Sequence, residues 1–95
     1  MDWVEKRRLR MVKYVTLNKY YMMVVVVTTR EVRMYRLKDG FMQNLHSNIF
    51  DDPSADILIF RQTKNHRQCY VLSNKGEVKV LNVSSGVAIK TLMPQ

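Results

Sequence analysis

One cysteine, one tryptophan, two prolines and three glycines are all that this 95-residue chain holds of the residues that most often carry chemistry or backbone constraint. Each shortage removes something. A lone Cys69 cannot close an internal disulfide, and it fits a reducing, cytoplasmic compartment. The two histidines, His46 and His66, have no partners at metal spacing, and a zinc site takes about four N, S or O ligands. Three glycines cannot build a Gly-rich phosphate loop, and no Gly-x-Ser-x-Gly elbow surrounds Ser73, Ser84 or Ser85. Long hydrophobic runs are missing too. The longest, Tyr20–Val27, falls far below the ~20 residues of a membrane helix. It also lies too far from the start, without a small-residue cleavage pattern, to read as a secretory signal. Asn82-Val83-Ser84 matches the N-glycosylation pattern, but it is discounted in a chain expected to stay outside the secretory route. We therefore expect no catalytic constellation, no metal, no cofactor and no membrane span.

Acidic residues are scarce as well. Eight Asp and Glu face 16 Lys and Arg, for a net charge of +8. The excess sits in the first half, where Lys6, Arg7, Arg8, Arg10 and Lys13 form the densest cluster. A basic balance fits an anionic partner, nucleic acid included, or solubility alone.

What is present is apolar pattern and repetition. Apolar residues make up 46% of the chain, which is ordinary for a globular protein and argues against disorder. Shifted by 46 residues, Glu31-Val32-Arg33-Met34-Tyr35 falls on Glu77-Val78-Lys79-Val80-Leu81, and Leu37–Gly40 on Val83–Gly86. The same shift sets Met11-Val12-Lys13-Tyr14 opposite Ile57-Leu58-Ile59-Phe60. A period of roughly 40–50 residues marks stacked or radial repeats whose units cannot bury their own faces.

Within each unit the pattern predicts four short strands. In the first these are Leu9–Val15, Tyr20–Thr28, Glu31–Leu37 and Phe41–Leu45. The valine run in the second has no polar face, as in a strand covered on both sides. Asp39-Gly40 predicts a two-residue hairpin loop, with positive φ at both residues. After the irregular 46–54 stretch, the second unit predicts strands at Ala55–Phe60, Gln68–Leu72, Glu77–Val83 and Val87–Leu92. Turns fall at Asn74-Lys75-Gly76 and Ser84-Ser85-Gly86. Tyr20, Tyr21, Met22 and Met23 are expected in the core or between units.

Four antiparallel strands in about 45 residues describe a β-propeller blade. Leu72–Gly86, with its Asn-Lys-Gly turn, alternating strand and Ser-Ser-Gly turn, resembles the central part of a WD40 repeat, and Lys90-Thr91-Leu92 resembles the end of the strand that follows. The family's Trp-Asp pair is Tyr35-Arg36 in the first unit and Leu81-Asn82 in the second, and its Gly-His pair is missing. The resemblance therefore implies two degenerate blades, residues 9–46 and 55–92, behind a basic lead of residues 1–8. It implies an all-β partial propeller that binds other proteins or is completed by further blades. Lys64-Asn65-His66-Arg67, with the strand and turns after it, is further similar to degenerate repeats of large WD40 proteins of ciliary axonemes. That likeness implies a cytoskeletal setting. Asp51-Asp52-Pro53 lacks the spacing and glycine of an EF-hand loop.

For the cluster Lys6, Arg7, Arg8, Arg10 and Lys13, a solvated lead-in outweighs contact with nucleic acid, since such patches usually hold more cations. Arg33, Arg36 and Lys79 are expected on the solvated face of a blade. Asp39, Gly40, Gly76, Ser85 and Gly86 are expected to shape turns. The alternative reading is a small basic β-domain that holds nucleic acid through the five leading cations.

Overall fold

The computed structural model describes residues 12–84 and the backbone of Ala88–Leu92. Eight strands follow in order: β1 Val12–Asn18, β2 Met23–Thr28, β3 Val32–Arg36, β4 Met42–His46, β5 Ile57–Gln62, β6 Gln68–Ser73, β7 Val78–Asn82 and β8 Ala88–Leu92. They form two antiparallel four-stranded meanders, β1-β2-β3-β4 and β5-β6-β7-β8. β-Branched residues at alternating positions favour such strands, and short turns between them leave only neighbouring pairings within reach.

The first strand corrects the sequence reading. Residues 9–11 of the predicted strand lie outside the described residues; from Val12 the strand runs on through Asn18, so the turn falls at residues 19–22 rather than 16–19. Tyr20 and Tyr21 leave the valine strand and join that turn. Asn18 causes this locally, because its Oδ1 accepts the Tyr21 amide at 2.9 Å and closes the loop.

The repeat is more exact than a single period allows. Val12 pairs with Thr28 where Ile57 pairs with Ser73, and each strand bulges just after that pair. Val32 faces Val27 where Val78 faces Leu72. The offset is thus 45 residues through the first two strands and 46 through the last two. The extra residue lies in the turn. Thr29-Arg30 is a two-residue loop closed by the Thr28 amide on the Glu31 carbonyl at 2.9 Å. Asn74-Lys75-Gly76 is a three-residue loop with Gly76 at φ 87°, where a side chain would be strained. The expected pairing of Met11 with Ile57 is therefore displaced by one, and Val12 takes the place.

The Asp39-Gly40 turn also departs from expectation. Only Gly40 has positive φ, at 77°. The loop spans four residues, with Gly40 N donating to the Arg36 carbonyl at 2.7 Å and Arg36 N to that of Phe41 at 2.8 Å. Asp39 serves as a cap, its Oδ1 accepting the Phe41 amide at 3.1 Å.

Alternation gives each sheet two faces. Val25, Val27, Val32 and Met34 of the first sheet and Phe60, Cys69, Val71 and Leu81 of the second are buried in one cluster between the sheets. Burial holds the Cys69 thiol protonated, its pKa pushed up to about 12. Ile49 and Phe50, in the segment joining the sheets, pack on that cluster.

Candidate functional site

Three surfaces have the composition of contact sites: the seam between the sheets, their outward faces, and the end where alternate turns gather.

The seam is polar at its edges. Asn18 is 1% exposed. Its Nδ2 donates to Gln62 Oε1 and to the His66 carbonyl, both at 2.7 Å. Gln62 Nε2 donates back to the Leu17 carbonyl at 2.8 Å, and the Lys19 amide to His66 Nδ1 at 2.9 Å. Positive φ at His66, 62°, turns the loop so that both its carbonyl and its ring reach the first sheet. At the other end Ile57 N donates to the Thr29 carbonyl at 2.7 Å, and Arg30 pairs with Asp56 at 3.0 Å. Asn44 Nδ2 donates to the Val83 carbonyl at 2.8 Å.

Lys79 is not on a solvated face, as the sequence predicted. It is 8% exposed and turned toward the first sheet. Its Nζ lies 3.3 Å from both Asp51 Oδ1 and Glu77 Oε2. Burial works against its charge, but the two carboxylates outweigh that and hold the ammonium above its ordinary pKa. Arg33 is equally withdrawn, its guanidinium bound to Glu31 at 2.9 Å. The sequence reading missed both: alternation does not say that the face carrying Lys79 lies against the first sheet, nor that Arg33, on the outward face beside Val26, is drawn down onto Glu31 and Tyr35. Arg36 is half-exposed as expected and pairs with Asp39.

The outward faces are apolar and open. On the first sheet Val15, Leu17, Met42 and Leu45 are 64%, 48%, 51% and 45% exposed, with Val24 and Val26 half-buried among them. On the second, Ile59 and Tyr70 are 40% and 42% exposed, beside half-buried Leu72 and Val78. The valine run is thus covered on one side by the second sheet and only partly on the other.

Successive turns of an antiparallel meander alternate between ends, and the two ends differ in net charge. One end gathers the turns at 19–22, 37–41 and 63–67, with Lys19, Lys38, Lys64 and Arg67 against Asp39. The opposite end gathers residues 29–31, 47–56 and 74–77, with Glu31, Asp51, Asp52, Asp56 and Glu77 against Arg30 and Lys75. Tyr20 and Met22, expected in the core or between units, are 56% and 58% exposed at the basic end, while Met23 is buried. The signal in the sequence was carried by two segments, the acidic Asp51–Asp56 stretch and the basic Lys64–Arg67 loop, which the topology sends to opposite ends.

Of the leading cations, Lys6, Arg7, Arg8 and Arg10 lie outside the described residues, as do Ser85 and Gly86. Lys13 belongs to the seam, where its Nζ donates to the Ile57 carbonyl at 2.6 Å.

By sequence the chain matches no protein-family model and no curated protein. By structure it is similar to the C-terminal WD40 domain of Sif2, with TM-score 0.63 and 18% identity over 76% of this chain and 19% of that one. It is similar to Hsv2 of Kluyveromyces lactis, with TM-score 0.60 and 23% identity over 76% of this chain and 22% of that one. A chain of the mitotic checkpoint complex aligns with all of it, at TM-score 0.64 and 16% identity over 32% of that chain. The protein thus spans a fifth to a third of the length of these structures. The two sheets are two blades of a WD40-type β-propeller fold.

Proposed function

We propose that this chain is a segment of a non-enzymatic WD40-type propeller that acts as a protein–protein interaction scaffold. In this reading its outward faces take further blades, on the same polypeptide or on a partner. One observation carries it. The outward face of the first blade is the counterpart, at the 45-residue offset, of the second blade's buried face: Val15 stands for Phe60, Val24 for Cys69 and Val26 for Val71. A surface built like a blade interface and left open is a docking surface for a blade. Propellers close with about four to eight blades, and two leave both end faces in water.

Size-exclusion chromatography with light scattering on the isolated chain tests this. Self-association, or a soluble complex only with added blades, is expected. A compact, fully folded monomer at tens of micromolar overturns it. The proposal includes the cytoplasmic, ciliary setting implied by the resemblance of Lys64–Arg67. A tagged chain excluded from axonemes in ciliated cells removes that part.

A further inference from the structure

The turns at 19–22, 37–41 and 63–67 are joined into one surface. Leu37 N donates to the Met22 carbonyl at 3.0 Å, tying the first two turns. Arg67 lies 5.4 Å from the centre of the Tyr20 ring, and Tyr21 meets that ring edge-on at 4.7 Å, tying in the third. The surface is held by backbone bonds and ring contacts, so a ligand would order little on binding.

Its charge is uncompensated. Among the described residues its only ion pair is Arg36 with Asp39, while Lys19, Lys38, Lys64 and Arg67 carry no acidic partner. At the opposite end Asp56 pairs with Arg30, Glu31 with Arg33, and Asp51 and Glu77 with Lys79. Between the blades at the basic end is a cleft of about 420 Å³, with Tyr21, Met22 and Met23 as apolar lining and Arg36, Lys38 and Asn44 as polar lining. Methionines adapt to varied apolar shapes.

We propose that this end docks an acidic peptide segment of another protein, with an apolar side chain seated against Met22 and Met23 and flanking carboxylates on Lys38 and its neighbouring cations. The inference rests on the interaction reading above and names the partner's chemistry. The geometry favours a peptide over the other anionic macromolecules. Nucleic-acid bases stack on free aromatic faces, but the Tyr20 ring is engaged by Arg67 and Tyr21, and Arg36 lies 5.8 Å from the centre of the Phe41 ring. A membrane surface needs a broad apolar face, whereas Leu37 and Phe41, exposed at this end, are split by Lys38 and the Arg36–Asp39 pair, Tyr20 is engaged by Arg67, and Met22 lines a concave cleft.

The test is fluorescence anisotropy of the full chain with a labelled decapeptide of Asp and Glu around a central Leu-Phe pair. Saturable binding is expected. It should weaken roughly fivefold on Lys38→Glu and stay within about twofold on Lys75→Glu, the same charge change at the acidic end. Replacing Leu-Phe by Ala-Ala should also weaken it. Both lysines are exposed and outside any ion pair, and circular dichroism checks that the variants fold. The proposal falls if binding does not saturate, if Lys75→Glu weakens it as much, or if oligothymidylate or phosphatidylserine vesicles bind more tightly than the peptide. Light scattering on the same samples separates the two readings. A monomer that binds the peptide retires the open-face proposal alone; an oligomer that does not bind it retires this one alone.

Discussion

Thr28 and Ser73 hold equivalent turns by the same means, although the turns differ in length. The Thr28 hydroxyl accepts the amides of Arg30 and Glu31 at 3.3 and 3.0 Å. The Ser73 hydroxyl accepts those of Lys75 and Glu77 at 3.1 and 3.0 Å. One side-chain oxygen replaces two waters at each blade corner, and the backbone between adapts to one residue more or fewer.

Ser73→Ala should therefore destabilise the chain by about 1–2 kcal/mol, because Ser73 is 1% exposed and its loss strands buried amides. Ser73→Thr should cost much less, since the first blade already uses threonine here. Urea denaturation followed by circular dichroism measures both. Equal losses would mean that the hydroxyl does not hold the turn.

Asn18→Ala should be the more damaging substitution, at about 2–3 kcal/mol, since one buried amide serves Gln62, His66 and Tyr21 together. Part of this cost belongs to the seam and part to the turn. A double-mutant cycle with Gln62→Ala separates the seam share, and additivity of the two would show no coupling across the blades.

Alkaline pH should unfold the protein. The buried Cys69 thiol, ordinarily at 9.0, is held up to about 12. The unfolded chain releases that proton first, so stability declines as pH rises from about 9 toward 12. Lys79 acts in the same direction. Its folded pKa is raised, so its contribution is complete below its ordinary 10.5 and is lost as pH climbs through the higher folded value. Thermal melts across this range should fall more steeply for the native chain than for Cys69→Ser, if that variant folds. Alkylation by iodoacetamide gives an independent check. At pH 8 it should be slow in the native state and fast in denaturant, and equal rates would place the thiol at the surface.

Val15→Asp and Leu45→Asp should change assembly more than folding. Both side chains are exposed on the outward face of the first blade. A carboxylate there meets water in the isolated chain but faces apolar surface in a blade interface. The monomer fraction by sedimentation velocity should rise with little change in melting temperature. A large fall in stability without a change in association would mean that these residues already pack inside the chain.

Much of this was legible in the residues. Strand count, blade division and the turn at Gly76 follow from alternation and turn chemistry, which act over a few residues. The strand edges were less legible. Asn18 closes a turn by reaching forward to Tyr21, and a continuous apolar run gives no mark where strand yields to turn. Lys79 was misread for a related reason. Its neighbours in sequence place it on one face of a strand, but that face, shared with Val71, is the one turned toward the first sheet, and Asp51, from the segment before the second blade, meets its ammonium there.

The sequence by itself determined the all-β repeat, because propensity, periodicity and turn residues are local. Only the tertiary structure decided which faces meet, which charges are buried, and that cations from three separate turns share one end. Those outcomes depend on how sheets stack and how alternate turns converge, and no single stretch of chain contains that information.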